Sequence, residues 1–245
     1  MTDELERTLE LLNAARRVAV LTGAGVSKAS GIPTFRDGPD AWWGQINPLD
    51  LLTQEHFERD PVPVWAWHQH KRHLANAGDV NAAHLVFARL QARPYEAFTM
   101  VTQNIDGFHT RAGSRDVIEL HGSVHRARCQ ICQQVDELRV AEDETLPRCE
   151  RCGSLLRPDV VWFGDDLPST ALQLAEEAFM TADVAVVAGT SGRVYPAAYL
   201  PVYTARGGGR VIEINPERTQ LSAIADIRVK NLDWTEHLLE ALRRE

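Results

Sequence analysis

The sequence predicts an α/β fold: a doubly wound parallel sheet with a smaller module inserted into it. Three observations carry the prediction. Short, continuous apolar runs recur along the chain and each ends in small or polar residues. Stretches with helix-compatible composition separate them, and two segments, 37–76 and 124–158, break the alternation. A run that is apolar at every position suits a strand buried on both faces, as in a parallel sheet covered by helices.

Residues 4–16 place Leu5, Leu9 and Leu12 at helical spacing among charges, which predicts an amphipathic helix. Val18-Ala19-Val20-Leu21 is the first strand and ends in Thr22-Gly23-Ala24-Gly25. The same grammar returns where Phe98-Thr99-Met100-Val101 ends in Thr102-Gln103-Asn104. It returns again where Val184–Ala188 ends in Gly189-Thr190-Ser191, and where Arg210–Ile214 ends in Asn215-Pro216-Glu217. Residues 80–92, 169–182 and 196–207 are the intervening helices. Ligands of such sheets gather beyond the carboxyl ends of the strands, which is where Gly, Asn, Ser and Asp concentrate here.

A length of 245 residues leaves room for one large domain or for a domain with an insert. Hydrophobic residues at 44% and charged residues at 24% are ordinary for a globular enzyme. A formal net charge of −8 argues against nucleic-acid binding through phosphate contacts. The N-terminus lacks a basic-then-apolar signal layout, and no apolar run approaches the roughly 20 residues that span a bilayer. The expected location is therefore cytoplasmic, without membrane contact. In that compartment four cysteines more readily hold a metal than form disulfides.

The expected partition is a discontinuous sheet domain, 1–38, 77–123 and 159–245, and a small module, 39–76 and 124–158. The module combines a Trp-, His- and Pro-rich helical part with a segment holding all four cysteines. Cys129-x2-Cys132 and Cys149-x2-Cys152, sixteen residues apart, are two knuckles that together complete a tetrahedral zinc site. Four thiolates leave no open position for water, so this zinc is structural. In a segment so poor in apolar residues it supplies folding energy.

Gly23-Ala24-Gly25-Val26-Ser27 follows a strand, and glycines at such a bend let backbone N–H groups approach a pyrophosphate. The continuation is not that of a hydride-transfer enzyme, because Gly31-Ile32-Pro33 ends the next helix early. Beyond it, Phe35 could cover a reactive ring and Arg36 could pair with phosphate or carboxylate; core packing and a surface ion pair are the plain alternatives. The amides of Gln103-Asn104-Ile105-Asp106-Gly107 suit a sugar hydroxyl or carboxamide, or simply a capped turn. His121, after Val117–Leu120 and before Gly122, is a candidate general base or a satisfied structural histidine.

These motifs fall into an order. Gly23-Ala24-Gly25-Val26-Ser27-Lys28-Ala29-Ser30-Gly31-Ile32-Pro33-Thr34-Phe35-Arg36 resembles the first signature of the sirtuin family. Thr102–His109 resembles the second, with Phe108 where leucine is usual. His121-Gly122, the cysteine pairs, Val160-Val161-Trp162-Phe163-Gly164, Gly189-Thr190-Ser191 and Asn215-Pro216-Glu217 follow in the family's order. The resemblance spans roughly 18–235 and is nearest to compact bacterial-type sirtuins.

The resemblance implies a Rossmann-like domain, NAD as a consumed co-substrate, one structural zinc, and removal of acyl groups from lysine side chains of proteins. It implies that Gly23, Ala24, Gly25 and Ser27 line the NAD phosphates and ribose, with Phe35 and Arg36 over the reactive end. Gln103 and Asn104 then contact the nicotinamide ribose, and Ile105 and Asp106 its carboxamide. Gly189, Thr190, Ser191, Asn215, Pro216 and Glu217 hold the adenosine half. Val161, Phe163 and Gly164 pair with the acylated peptide as an added strand. His121, with Asn104, is catalytic: the acyl oxygen attacks the ribose C1′, nicotinamide leaves, and His121 draws a proton from the ribose hydroxyls. The implied products are free lysine, nicotinamide and 2′-O-acyl-ADP-ribose.

Two departures bear on this reading. Family members that remove acidic acyl groups carry a Tyr-x-x-Arg pair and a nearby alanine, and this chain has His68, Lys71 and Leu52 there. Lysine keeps the charge but lacks the planar fork of arginine, so acetyl ranks ahead of succinyl and malonyl. Gly192-Arg193 stands where a small polar and an aliphatic residue are usual, and the sequence leaves Arg193 without a role. The competing readings are an ADP-ribosyltransferase or NAD glycohydrolase, and a non-catalytic NAD-sensing module.

Overall fold

In the computed structural model, which describes residues 3–33, 48–138, 146–230 and 234–244, the continuous apolar runs pair as parallel strands. They are β1 (Arg17–Thr22), β2 (Ala97–Thr102), β7 (Val184–Ala188) and β8 (Arg210–Ile214). Two short strands, β3 (Ile118–Glu119) and β9 (Ile227–Val229), extend the sheet to the order β3-β2-β1-β7-β8-β9, parallel throughout. The chain begins in the middle at β1, winds outward through β2 and β3, and returns to wind the other way through β7, β8 and β9. The reversal lies between β1 and β7, where Thr22 stands beside Ala188.

Strand alternation builds a core on each face. Val18 and Val20 point to one side, with Leu5 and Leu12 of α1 (Asp3–Ala14), Val86, Phe87 and Leu90 of α5 (Ala82–Gln91), and Leu238 of α9 (Trp234–Arg244). Ala19 and Leu21 point to the other, with Ala175 and Phe179 of α7 (Ser169–Thr181) and Leu200 of α8 (Leu200–Arg206). The stretch expected to be helical over 196–207 is a short 3-10 turn, Ala197–Tyr199, running into α8. Among the described residues no helix is long and apolar enough to cross a membrane.

The two segments that break the alternation share a third core. Helices α2 (Pro48–Leu51), α3 (Gln54–Arg59) and α4 (Pro61–Ala77) pack on an antiparallel sheet of β4 (Gly122–Cys129), β5 (Val135–Glu137) and β6 (Leu156–Val160), in the order β5-β4-β6. Between them lie Leu51, Leu52, Phe57, Val64, Trp65, Trp67, Val124, Ala127 and Trp162. Helix α3 starts at Thr53, whose hydroxyl accepts from the His56 N–H, and α4 starts with Pro61 in its first turn.

β4 leaves the large sheet directly after β3, so the chain passes from one sheet to the other across Leu120 and His121. Gly122 makes that passage at φ +77°, and a Cβ there would lie 2.0 Å from the Asp159 carbonyl oxygen of β6. An ion-pair network spans the same junction. Asp159 accepts from Arg126 at 3.0 Å and from Arg128 at 2.7 Å, and Arg126 reaches Glu119 of β3 at 2.7 Å.

The four cysteines converge at the far end of the small sheet. Their sulfurs all lie within 4.8 Å of one another, with Cys129 to Cys152 at 3.4 Å and Cys132 to Cys149 at 3.7 Å. A tetrahedron of thiolates about 2.3 Å from zinc has edges of roughly 3.8 Å, so the cluster fits that ion. The knuckles repeat one backbone pattern. The Gln133 N–H donates to the Cys129 carbonyl and the Gly153 N–H to the Cys149 carbonyl. The Cys129 and Cys149 N–H groups donate to Gln134 and Ser154 respectively. Gln133 and Gly153 both take positive φ, +57° and +73°.

Two outcomes are expected. Stripping zinc with a chelator should raise hydrogen exchange across β4–β6 first and red-shift tryptophan emission, since Trp65, Trp67 and Trp162 sit in the third core. Protection of β1, β7 and β8 should persist, and simultaneous loss in both sheets would contradict the separate cores. Gly122→Ala should lower thermal stability by about 2 kcal/mol or more through the left-handed φ and the clash with Asp159. A melt matching the parent protein would count against that account.

Candidate active site

The carboxyl ends of the central strands carry the residues the sequence singles out, and the first constraint on them is steric. The Gly23 N–H donates to the Ala188 carbonyl at 3.0 Å and the Gly25 N–H to the Gly189 carbonyl at 2.8 Å. A Cβ on Gly25 would stand 2.7 Å from the Gly189 oxygen, and one on Gly189, at φ +61°, would stand 2.4 Å from the Val26 nitrogen. The loops after β1 and β7 therefore touch backbone to backbone, and Ala24–Ser30 coils away as a 3-10 turn that ends at Gly31.

Thr190 gathers the neighbouring ends. Its hydroxyl accepts from the Gln103 side-chain amide at 2.9 Å, and its carbonyl accepts from the Asn215 amide at 2.8 Å. The Asn215 side-chain oxygen accepts from the Glu217 N–H at 3.2 Å, closing the turn that contains Pro216. Ser191 is half-buried beside Thr190.

Ser27 is the buried hub on the other side of β1. Its hydroxyl donates to Asp106 at 2.7 Å and accepts from the Asn104 amide at 3.0 Å. His84 takes the Asn81 N–H on Nδ1, so its Nε2–H is the one that faces the same hydroxyl at 3.3 Å. The other Asp106 oxygen accepts from the Phe108 N–H at 3.0 Å. Burial raises the Asp106 carboxyl above the usual carboxylate value, against those hydrogen bonds. Burial also lowers His84 to about 4 and His109 to about 3, so both rings are neutral near pH 7. His109, on α6 (Phe108–Arg111), meets the Thr22 hydroxyl through Nε2 at 2.9 Å. Sequence reasoning did not single out His84 or His109. His84 shows only as the third residue of a helix cap from Asn81, a signal for a helix start rather than for a site.

His121 stands where the chain passes between the sheets. Its Nδ1–H donates to the Gln103 carbonyl at 2.9 Å, which places the lone pair on Nε2. Burial depresses its pKa, offset in part by that same hydrogen bond. The result is an oriented neutral imidazole, the state required of a general base. The His121 carbonyl accepts from the Val161 N–H at 3.0 Å, so the segment Val161–Gly164 starts one hydrogen bond from this histidine. Phe163, 45% exposed, is fixed by its N–H to the Leu52 carbonyl at 3.0 Å. Ile105 is held to β4 through the Val124 N–H.

The two residues expected near an acyl tail are placed differently. His68 is buried on α4, its Nδ1–H donates to the Val64 carbonyl at 2.8 Å, and its Nε2 accepts from the Trp162 indole at 3.3 Å. Burial, with the nearby Arg157 charge, lowers its pKa to about 3 although the Val64 bond opposes this. Lys71 lies 5.4 Å from the centre of the Trp67 ring. Phe35 and Arg36 lie outside the described residues.

The chain resembles known proteins over most of its length. The Sir2 family pattern matches residues 23–196. A relative from Pyrobaculum aerophilum, named NAD-dependent protein deacylase 2, is 46% identical over 221 residues, covering 90% of this chain and 88% of its own. A solved Sir2 homolog–NAD complex superposes with a TM-score of 0.90 at 41% identity, covering 98% of this chain and 94% of its own. A Sir2 variant with a deacetylated p53 peptide and 3′-O-acetyl-ADP-ribose superposes with a TM-score of 0.83 at 34% identity, covering 98% and 96%. The chain is thus matched over nearly its whole length in sequence and in fold, and it belongs to the Sir2 family.

Proposed function

We propose that the protein is an NAD-dependent protein-lysine deacylase that removes acetyl groups in preference to acidic ones, giving nicotinamide and 2′-O-acyl-ADP-ribose. The observation that carries this reading is His121. A neutral imidazole with Nδ1 pinned to Gln103 lies beside the buried Ser27–Asn104–Asp106 network, and its own carbonyl is bonded to Val161. The names of the relatives point to the same chemistry.

The residues fit NAD. The Gly25–Gly189 contact has no room for side chains and leaves backbone facing the crevice at the reversal of strand order, where dinucleotides lie in such sheets. Gly23, Ala24, Gly25 and Ser27 would face the phosphates and ribose. Gly189, Thr190, Ser191, Asn215, Pro216 and Glu217 would face the adenosine half. Gln103, Asn104, Ile105 and Asp106 would hold the nicotinamide half, and Phe35 and Arg36 keep their assignment over the reactive end. As a substrate, NAD supplies a ribose C1′ from which nicotinamide departs.

Val161, Phe163 and Gly164 would present backbone groups to an extended acylated peptide, a mode that reads main chain more than sequence. His121 Nε2 would accept a proton from a ribose hydroxyl once the acyl oxygen has engaged C1′, and Asn104 would keep the ribose in place. For the acyl group, His68 has both ring nitrogens already engaged inside the module, so it offers no donor to a terminal carboxylate. Lys71 would lend charge without a fork.

Three outcomes are expected. His121→Ala should lower kcat/KM by about 10²–10⁴-fold while NAD binding, measured by calorimetry, stays near that of the parent. Because burial lowers the His121 pKa, the base stays deprotonated below pH 6.5. The acid limb of kcat/KM should therefore fall below that value, and a limb above it would contradict the assignment. On a panel of acyl-peptides of one sequence, acetyl should turn over faster than succinyl by about tenfold or more, the worth of one charge-assisted hydrogen bond. Mass detection of free or protein-bound ADP-ribose in place of acyl-ADP-ribose would favour the glycohydrolase or transferase reading instead.

A further inference from the structure

The segment that would pair with the peptide alternates in burial: Phe163 is 45% exposed, and Trp162 before it is 3% exposed. Trp162 turns away from the cleft into the third core. Its indole lies 5.1 Å from the Phe57 ring and donates to His68. The Arg157 guanidinium lies over that indole, 3.6 Å from the ring centre.

Arg157, on β6, holds the bend after its own strand at several points at once. One terminal nitrogen donates to the Gln54 side-chain oxygen of α3 at 2.7 Å. The other donates to the Val160 carbonyl at 3.0 Å and to the Asp165 carboxylate at 2.7 Å. Asp165 completes the circuit by accepting the Trp162 N–H at 3.2 Å. A single planar fork thus fixes the backbone before Val161, the ring of Trp162 and the carboxylate after Gly164. The Arg157 side chain is 15% exposed, and a buried charge of this kind is weak evidence for stability, since an apolar side chain of similar volume could fill the space. Its distinctive product is geometry. Val161 is held against the His121 carbonyl at the edge of the cleft, and Phe163 and Gly164 (φ +89°) form a turn closed by the Asp165 N–H on the Trp162 carbonyl at 3.1 Å.

We propose that Arg157 is a positioning residue for the acylated peptide, acting through Trp162 and Asp165 to hold the backbone of Val161–Gly164 in the register that an added strand requires. The inference rests on the peptide-pairing role given to that segment. Binding of the acetyl-lysine peptide by the unsubstituted protein tests that reading, and the ratio of variant to parent tests Arg157.

The experiment uses the full chain with zinc bound and a fluorescein-labelled acetyl-lysine peptide read by anisotropy, with NAD affinity measured separately by calorimetry. Arg157→Met should weaken peptide binding by about tenfold or more, as expected for loss of hydrogen bonds to a charged group. NAD affinity should stay within about twofold, as for sites without shared partners, and zinc content should be unchanged. Arg157→Lys keeps charge but not the fork, and should fall between Met and the parent. Asp165→Asn breaks the ion pair while keeping the volume, so it serves if Arg157→Met does not fold, and it too should weaken peptide binding. Peptide affinity within about twofold of the parent in a folded Arg157→Met or Asp165→Asn protein would overturn the proposal. Equal losses of peptide and NAD affinity would overturn it as well.

Discussion

The contact between the loops of Gly25 and Gly189 sets the geometry on which the crevice depends. Two parallel strands whose following segments approach so closely admit neither a Cβ nor a water layer, and the backbone donors that would be lost there are satisfied across the gap. Having met, the two chains must part. One coils into the turn Ala24–Ser30, and the other runs through Thr190 toward the β8 end. The crevice is the space left by that divergence, and it lies where sheet order reverses for the same reason: the helices after β1 and β7 cover opposite faces. Buried polar groups then have one open direction, so Ser27, Asn104 and Asp106 satisfy one another at its floor.

The second constraint is covalent. His121 belongs to neither sheet, since the chain leaves β3 at Glu119 and enters β4 at Gly122. A side chain at such a junction inherits the relative placement of both layers. Its ring is oriented by a carbonyl of the large sheet's β2 end, and its backbone is paired with the segment that follows β6. The Glu119–Arg126–Asp159–Arg128 network bridges the same seam. Desolvating several charges costs free energy that the pairing only offsets, but the directional bonds exclude a sliding interface. Apolar packing alone would tolerate such sliding.

What the sequence makes legible follows from how local each signal is. The strands of the large sheet were readable because burial on both faces leaves an uninterrupted apolar run, as in Val184–Ala188. The metal cluster was readable because two-residue knuckles are a local geometry, and the paired turns at Gln133 and Gly153 bear that out. β9 and α9 were not singled out: β9 has three residues, and α9 closes a core made by distant parts of the chain. His84 and His109 were missed because a histidine inside a helix gives no hint of the hydroxyl it meets far away in sequence, Ser27 for one and Thr22 for the other. His68 shows the limit most clearly. Helical spacing places it on one face with Lys71, and only the indole of Trp162, 94 positions on, shows that its ring is already fully engaged.

That engagement connects acyl choice to peptide placement. A neutral His68 is needed for Nε2 to accept from Trp162, and burial keeps it neutral. Trp162 in turn sits between Val161 and Phe163, the positions that would meet the substrate main chain. A side chain that might have gripped an acidic tail is instead part of the mounting of the peptide strand, with Phe57 on one side and Arg157 over the ring. Replacing His68 with a tail-binding residue would then alter two properties at once, because the donor gained for a carboxylate is taken from the acceptor that holds the indole. On the proposed reading, selectivity for a small neutral acyl group and a rigid peptide edge would both follow from the same hydrogen bond.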